Sequence, residues 1–476
     1  MVSVGETQYW LTRLCFQRFL GLIYLVAFLV ALHQFRPLVG ENGLTPATLF
    51  LKRVRFWDAP SLFHFYYSDP LAIAVAWAGV LLSVAAISGL SENFGIWVSV
   101  GVWALLWFFY LSFVNVGQVW YGFGWESILL ETGFLAIFLG SSDIPPSKLL
   151  IWLLRWVLFR VMFGAGLIKL RADPCWKDLT CLFYHYETQP LPNPLSWQFH
   201  HLPPVIHKGG VLFNHFVELI VPWGLFAPGL VGSLAGFFTI LFQSVLILSG
   251  NLSWLNYLTI VLCIPCFDDR LLVRFIPIQP LTLEPASMAR QGVVIALTIF
   301  ILILSIKPVL NMISPHQVMN TSFDPFHLVN TYGAFGSVTR DRMEIIIEGT
   351  EEAVVTPTTR WREYEFKAKP GNVKRRPPMV APYHLRLDWL MWFAAMSEVR
   401  YHPWVLSLVV KLLKGDKDTL GLLGYHPFPE NPPRYIRAEL YEYHFTKSRK
   451  ETGAWWTRTR VGPYLPPLSL AEFAEA

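Results

Sequence analysis

The chain has 476 residues, of which 54% are hydrophobic, 16% are aromatic and only 15% are charged. Soluble domains contain about 25% charged residues, so this composition argues against a soluble protein and indicates a membrane protein. The formal net charge is +5, and no basic cluster with interleaved aromatic residues occurs, which argues against nucleic acid as a partner.

Nine apolar runs occupy the first two-thirds of the chain, and a membrane helix needs about 20 mostly apolar residues. The runs lie at about 14–33, 71–90, 94–114, 126–141, 149–169, 211–228, 230–249, 253–267 and 291–312. They predict a multi-pass α-helical membrane domain over residues 1–313 with about nine spans. The runs at 126 and 253 are short enough to be half-helices. Lys and Arg are nearly balanced between the two sets of loops, so charge leaves the orientation open.

Residues 314–476 have more charges and prolines, and no run in them is long enough to cross a membrane. The alternation of polar and apolar residues in "EYEFKAK", residues 363–369, predicts a half-buried strand. Similar patterns predict strands at 343–349 and 441–445, and helical spacing of aromatic residues predicts a helix at 385–399. The sequence therefore predicts a soluble, β-rich α+β domain after the membrane domain.

Two acids lie in the fourth apolar run, at Glu126 and Glu131. A helix amino terminus at the membrane interface favours an acid, so Glu126 is predicted to be a helix-end acid. Glu131 lies more than a turn deeper, where one central charge costs about 2.5–3.5 kcal/mol. Arg160, in the next run, is too far from either end to reach water easily. We therefore predict a buried Glu131–Arg160 ion pair, beside a Gly164–Gly166 stretch that lets helices approach closely.

Further polar residues flank the later runs. Glu218 follows His215 by about one helical turn, and we predict a hydrogen-bonded pair. A bundle metal site would need a second such pair, so no metal is predicted there. Lys169 and Arg171 end the fifth run, and their flexible stems predict that both reach the membrane interface.

The cysteines suggest one disulfide and no redox site. Cys175 and Cys181 flank "WKDLT", a spacing that allows a small disulfide ring in an oxidising compartment. "CIPC", residues 263–266, has the spacing of a redox dithiol, but it ends an apolar run with no surrounding βαβ pattern. We interpret these two cysteines as packing residues.

A proline-rich loop brings together His185, Glu187, His200 and His201. Acid–base or metal chemistry is one interpretation of this loop, and a rigid structural loop is the favoured one. The chain contains no nucleophile elbow, H-E-x-x-H zinc helix, Walker loop or dinucleotide fingerprint. The sequence therefore predicts no catalytic residue, no metal site and no cofactor.

Long strings spread over nearly the whole chain resemble the lipase maturation factor family. These strings are "VNVGQVWYGFGWESILLETGFLAIFL", "FRVMFGAGLIKLRADPCWKDLTC", "HYETQPLPNP", "SGNLSWLN", "VMNTSFDPFHLVNTYGAFGSVTR", "PYHLRLDWLMWFAA" and "YLPPLSL". The resemblance, closest to the type 1 members, implies a multi-pass protein of the endoplasmic reticulum membrane whose carboxy-terminal domain is lumenal. It implies a folding factor, not an enzyme, whose protein partners are immature secreted lipases that become active dimers, in contact with membrane lipid.

The strings that match the lumenal part of the family supply candidate client-binding residues. These candidates are Asn330, Tyr332, Phe335, Tyr383, Trp389 and Trp392. In the mechanism that we expect, aromatic side chains of this domain hold apolar or strand-edge surface of an immature lipase until its subunits pair. The alternative is that these aromatic residues form the core of the domain.

Two alternatives stay open. Family members have cysteines at the positions of Ala368 and Pro378, and their joint absence here also admits a bacterial homologue in a plasma membrane. The layout of a helical membrane domain followed by a β-rich part is similar to that of the vitamin K-dependent γ-carboxylase. By that analogy alone, Glu131, Arg160, His185 and Glu187 would act around a lipid-soluble cofactor.

Overall fold

The structure is a computed structural model that describes residues 9–278 and 283–473. Nine helices follow one another in the first part of the chain. They are α1 (Trp10–Val39), α2 (Asp69–Ser88), α3 (Ile96–Val116), α4 (Gly124–Ala136), α5 (Lys148–Arg171), α6 (Pro204–His215), α7 (Leu230–Ser249), α8 (Leu255–Cys263) and α9 (Met288–Ile313). Short helices lie between or after them at Ala47–Leu51, Leu90–Asn93, Pro174–Lys177, Leu182–Thr188, Ser196–His200 and Asp269–Leu272.

Six of these helices are long and apolar enough to cross a membrane, among the residues that the structure describes. They are α1, α2, α3, α5, α7 and α9. The three other predicted spans coincide with shorter elements. Helix α4 has 13 residues and α8 has nine, lengths of about 20 and 14 Å, and α6 continues through a π-helical turn at Phe216–Ile220. The count of nine crossings therefore stays a prediction.

Helix α1 lies at the centre of the helical part, packed against α2. A Cβ atom at Gly79 of α2 would lie 2.3 Å from the ring of Phe28 on α1, so only glycine permits this approach. Phe28 also contacts the ring of Tyr110 on α3, with a centroid separation of 5.4 Å. The close approach places large buried aromatic side chains of α1 and α3 in one core against α2.

The carboxy-terminal part contains two antiparallel sheets and two main helices. The strands are β1 (Arg342–Thr350), β2 (Arg362–Glu363), β3 (Glu365–Phe366), β4 (Leu423–Tyr425), β5 (Tyr435–Phe445) and β6 (Trp456–Leu468). The larger sheet has the order β2-β1-β5-β6, and β3 pairs with β4. The helices are α10 (Arg386–Ala394) and α11 (Trp404–Leu413), with short helices at Lys417–Leu420 and Arg449–Thr452. A membrane domain and a β-containing carboxy-terminal domain are thus both present.

The predicted strand at 363–369 is broken into β2 and β3. The backbone N–H groups of Ala368 and Lys369 donate to the Asp388 carboxylate, at 2.6 and 3.0 Å, instead of to a neighbouring strand. The predicted strands at 343–349 and 441–445 correspond to β1 and the end of β5. Strand β6, which the sequence analysis did not predict, contains Pro463, and proline is tolerated there because β6 is an edge strand.

The carboxy-terminal part sits at one end of α1. Gln34, near the end of that helix, donates to the backbone carbonyl of His384 at 2.7 Å and accepts from the backbone N–H of Arg386 at 3.0 Å. At the start of α1, the backbone N–H of Trp10 donates to Asp269 at 2.7 Å. Since 30 helical residues extend about 45 Å, Asp269 and the carboxy-terminal part lie at opposite ends of the helix.

Candidate functional site

The first buried charge network joins α4, α5 and the chain that follows α9. Arg160 and Glu131 are each 1% exposed, and Arg160 Nη2 pairs with Glu131 Oε1 while its Nη1 lies 3.3 Å from Oε2. Arg160 Nη1 also donates to the carbonyl of Asn330 at 2.7 Å. Tyr332 and the backbone N–H of Asn330 donate to Glu131 at 2.6 and 3.2 Å. Two helices of the amino-terminal part and one connecting segment therefore share a single network.

A second network joins α4 to α10 of the carboxy-terminal part. Arg386 donates to Glu126 Oε1 at 2.8 Å and to the carbonyl of Trp120 at 2.6 Å, and both charged side chains have no solvent exposure. Tyr110 donates to the other carboxylate oxygen. Glu126 lies in the first turn of α4, as predicted for a helix-end acid. The expectation that it lies at the membrane interface was wrong, because Arg386 and Tyr110 take the place of water around its carboxylate.

A third network joins α5 to the π-helical turn after α6. Lys169 donates to Glu218 at 2.6 Å and to Asn214 at 2.9 Å, and its side chain is 5% exposed. The expectation that Lys169 reaches the interface was therefore wrong. Glu218 does not pair with His215, which lies 2.9 Å from the carbonyl of Trp176 instead. Asn214, one turn before Glu218, shares this face and donates to the Glu218 carboxylate at 2.9 Å.

The polar loop after α5 is held in place by a disulfide bond and by an ion pair. Cys175 and Cys181 form a disulfide bond, and Trp176, Val211 and Val338 pack against it. Asp173 accepts a hydrogen bond from Arg340 at 2.8 Å, which lowers the pKa of that carboxyl group to about 2. Among the described residues, Asp173, Cys175 and Cys181 form a close group of metal-ligand types, but sulfur atoms in a disulfide do not act as thiolate ligands.

The histidine-containing loop contacts the end of β5. Glu187 lies 3.4 Å from His444 Nδ1 and 3.7 Å from His200 Nε2, and the backbone N–H of Phe445 donates to it. Burial raises the pKa of Glu187 and lowers the pKa of His200 to about 4. These contacts fix the loop against the sheet.

The residues of the γ-carboxylase analogy do not share one site. Glu131 and Arg160 form hydrogen bonds with each other and with the 330–332 segment. Glu187 faces His444 and Phe445. His185 lines a cavity that none of the other three residues lines. The geometry therefore favours structural roles for the acids and for Arg160.

The candidate client-binding residues gather at the junction of the two parts. Asn330, Tyr332 and Trp389 are 0%, 3% and 5% exposed. Tyr383 lies 3.2 Å from Gln34 of α1, and Trp392 Nε1 donates to the carbonyl of Thr188 at 3.0 Å. Phe335 is half-buried against His185. In this conformation these side chains hold the junction together, and their contact with a client stays a prediction.

Arg386 is the site residue that sequence reasoning missed. It lies between Leu385 and Leu387 in the first turn of the predicted helix, so its charge was a signal for a buried partner. His384 and Asp388 have the four-residue spacing that is typical of an exposed pair on a helix, but both are buried, at 0% and 1% exposure. His384 packs against Trp125 of α4 with a ring separation of 5.0 Å.

Helices that cross a membrane, joined by buried charges to an α+β part, define a multi-pass membrane protein with an attached carboxy-terminal domain. A family model described as the lipase maturation factor transmembrane domain matches residues 11–274. A second, described as the lipase maturation factor C-terminal domain, matches residues 328–466. The chain therefore belongs to the lipase maturation factor family.

Individual relatives are similar over nearly their full length. Lipase maturation factor 1 of Homo sapiens is 44% identical, over 98% of this chain and 89% of that protein. Lipase maturation factor 1 of Bos taurus is 45% identical, over 97% of this chain and 89% of that protein. Lipase maturation factor 2 of Xenopus laevis is 31% identical, over 97% of this chain and 82% of that protein. No solved structure matches the chain.

Proposed function

We propose that this protein is a folding factor of the endoplasmic reticulum membrane that helps secreted lipases reach their active, dimeric state. The observation that supports this most strongly is the 44% identity to human lipase maturation factor 1 over 98% of the chain. The names of the relatives describe maturation of a lipase. We further propose that the chain acts by binding its client, without a catalytic step.

The carboxy-terminal part is the element that we propose to be lumenal. It lies at the end of α1 that is opposite to Trp10 and Asp269. Folding of secreted lipases and formation of the Cys175–Cys181 disulfide both need an oxidising compartment. A lumenal carboxy-terminal part would lie in the oxidising compartment in which secreted lipases fold. In a bacterial cell, the equivalent side would be the outer face of the plasma membrane.

An apolar rim on this part is the surface that we propose for client contact. The rim consists of Trp392, Phe393, Met396 and Tyr401, and the last three are 38%, 43% and 65% exposed. Clustered exposed apolar side chains mark interaction sites, and an immature lipase exposes apolar surface of its own. Phe123, whose ring contacts both Trp389 and Phe393, would hold the rim in place.

Rigid presentation of the rim is the role that we propose for the membrane part. The Arg386–Glu126 pair fixes the first turn of α10, and the rim begins at the last turn of the same helix. A fixed surface loses little conformational entropy when it binds a client. The ion pairs would thus support function through position.

The test is lipase activity secreted by cells that lack their own maturation factor and receive this chain. We expect the wild-type chain to restore activity and the double substitution Phe393→Ser with Met396→Ser to lower it several-fold at equal protein level. Val354→Ser is the matched control, because Val354 is an exposed apolar residue, at 66%, in the loop between β1 and β2. Unrestored activity with normal amounts of the wild-type chain would refute the proposed function.

A further inference from the structure

A cavity of about 410 Å³ lies where the membrane helices meet the carboxy-terminal part. Ligand pockets usually measure about 300–1,000 Å³, so this cavity is large enough for one small molecule. Its walls are mostly apolar. They include Val161 and Met162 of α5, Phe242 and Leu246 of α7, and Trp389 of α10.

The cavity adjoins helices that are built to contact lipid. Both α5 and α7 are among the helices long and apolar enough to cross a membrane. The face of α7 that lies away from the cavity exposes Leu241 and Leu248, at 43% and 51%. A molecule dissolved in the bilayer would therefore be close to the cavity.

The charges in the cavity cancel. Among the described lining residues, Lys169 and Glu218 have opposite charges and form an ion pair at 2.6 Å. His185 also lines the cavity, and burial, followed by the charge of Lys169, lowers its pKa to about 4, so it is neutral at physiological pH. A ligand with a net charge would find no free counter-ion there.

The side-chain oxygens of two buried amides among the described lining residues receive no hydrogen bond, although Gln243 Nε2 donates to the Met162 sulfur. Gln243 Oε1 and Asn256 Oδ1 accept no hydrogen bond, although these residues are only 4% and 2% exposed. Buried polar atoms are nearly always hydrogen-bonded in native proteins. Both atoms are acceptors, so the missing partner is a donor such as a hydroxyl group.

We propose that this cavity binds an uncharged single-chain lipid with a hydroxylated head, the chemistry of a monoacylglycerol. The acyl chain lies against Val161, Phe242 and Leu246, and the hydroxyl groups donate to Gln243 and Asn256. The volume is near the lower end of the usual range, which suits one acyl chain and not two. This inference goes beyond the folding of a client and does not rest on it.

The test uses the purified full-length chain in nanodiscs of dioleoyl phosphatidylcholine. The probe is monooleoylglycerol with a photoactivatable diazirine in its acyl chain, and labelled peptides are identified by mass spectrometry. We expect labelling of peptides that contain Val161–Ala165 and Phe242–Leu246, with at least fivefold competition by excess unlabelled monooleoylglycerol. Labelling spread evenly over all lipid-facing helices, without competition, would overturn the proposal.

Two variants and one control locate the site. Val245→Trp fills the cavity from α7 and should lower labelling at least fivefold. Leu248→Trp adds the same side chain to the exposed face of the same helix and should leave labelling unchanged. If Val245→Trp lowers the melting temperature sharply, Gln243→Leu replaces it, because it removes the head-group acceptor with little change in volume. Equal labelling of the wild type and the stable variant would contradict the assignment.

The charge state of the ligand is tested with a diazirine-labelled oleate probe under the same conditions. The ionised fatty acid should label the cavity peptides at least fivefold less than the monoacylglycerol does. Equal or stronger labelling by oleate would show that the cavity does not select an uncharged head, and the proposal would fall.

Discussion

Glu126, Glu131 and Glu218 each have a basic side chain within hydrogen-bond distance. Their partners are Arg386, Arg160 and Lys169. A buried charge without a partner costs several kcal/mol, whereas a complete buried ion pair adds little to stability. Each acid therefore requires its base. The networks therefore specify which segments pack together, and the large apolar core supplies the favourable burial.

Removal of Arg160 should be far more harmful than removal of a surface arginine. Arg160→Met leaves Glu131 buried without its base, and we expect a loss of about 3–5 kcal/mol in unfolding free energy. Melting temperature in detergent and the amount of protein in the membrane would measure this loss. Arg434→Met, at an exposed position, is the control and should change little. Addition of Glu131→Gln to Arg160→Met should recover part of the loss, and no recovery would contradict the pairing.

His444 should make the stability of the carboxy-terminal part depend on pH. Burial lowers the pKa of His444, but hydrogen bonds to Glu442 and Glu187 outweigh it and raise the pKa above its ordinary value of 6.5. Because the folded state binds this proton more tightly, the stabilisation is complete below pH 6.5 and is lost as the pH rises through the raised pKa.

Melting temperatures at pH 6.0 and 8.5 measure this effect. The wild type should lose about 1–2 °C more over this interval than His444→Gln does. His316→Gln, at an exposed histidine, is the control and should match the wild type. A wild type that loses no more than His444→Gln would show that the link to Glu187 and Glu442 contributes nothing.

The residue-level network could be predicted only in part. Glu131 and Arg160 lie on consecutive apolar runs, and a central charge on each requires a match, so local reasoning was sufficient to propose them as partners. Arg386 is 260 residues from Glu126 and lies within the part of the chain that composition assigned to a soluble domain. Nothing in the chain near Glu126 identifies that partner. Glu218 pairs with Lys169 of α5 and not with the nearby His215, a choice that spacing along the chain does not reveal.

At the scale of elements, glycines on α5 set how closely other segments approach. A Cβ atom at Gly164 would lie 2.5 Å from the backbone carbonyl oxygen of Tyr332. A Cβ atom at Gly166 would lie 2.7 Å from the Leu219 side chain. The sequence analysis expected close helix packing at Gly164–Gly166, and one of the two close neighbours is the 330–333 loop segment.

Gly164→Ala should therefore destabilise the protein, by about 1–3 kcal/mol, since a backbone carbonyl cannot move away without disturbing the Arg160 network. Gly101→Ala on α3 is the matched control, because no atom lies within 4 Å of its added Cβ. The control should be neutral or slightly stabilising, as alanine favours a helix. Equal melting temperatures for the two variants would contradict the close approach.

The sheets show where periodicity succeeds and fails as a predictor. Strand β1 contains three consecutive isoleucines, Ile345–Ile347, and lies between two partner strands, and its pattern was sufficient to predict it. The 363–369 segment alternates polar and apolar residues, but the backbone N–H groups of Ala368 and Lys369 donate to the Asp388 carboxylate and not to a neighbouring strand. Strand β6 was missed because its prolines argue against a strand unless its place at the sheet edge is known.

At the scale of the whole molecule, the carboxy-terminal part depends on the membrane part. Arg386, His384 and Trp389 are buried against α4 and the chain just before it. A fragment of residues 314–476 would expose these side chains to water and lose the partner of Arg386. We expect it to unfold with low cooperativity and to bind a dye for exposed apolar surface, whereas the same part in the full chain should not. A sharp unfolding transition of the fragment would contradict this dependence.

The central claim, that a surface held by the membrane part binds immature lipase, is tested by capture in cells. A photo-crosslinking amino acid at Met396, in the apolar rim, is activated while a secreted lipase is being made, with the same amino acid at Val354 as the control position. The account predicts adducts from Met396 with newly made, inactive lipase, at least fivefold more than from Val354, and none with the mature active dimer. Equal adducts from both positions, or adducts with the mature lipase, would contradict it.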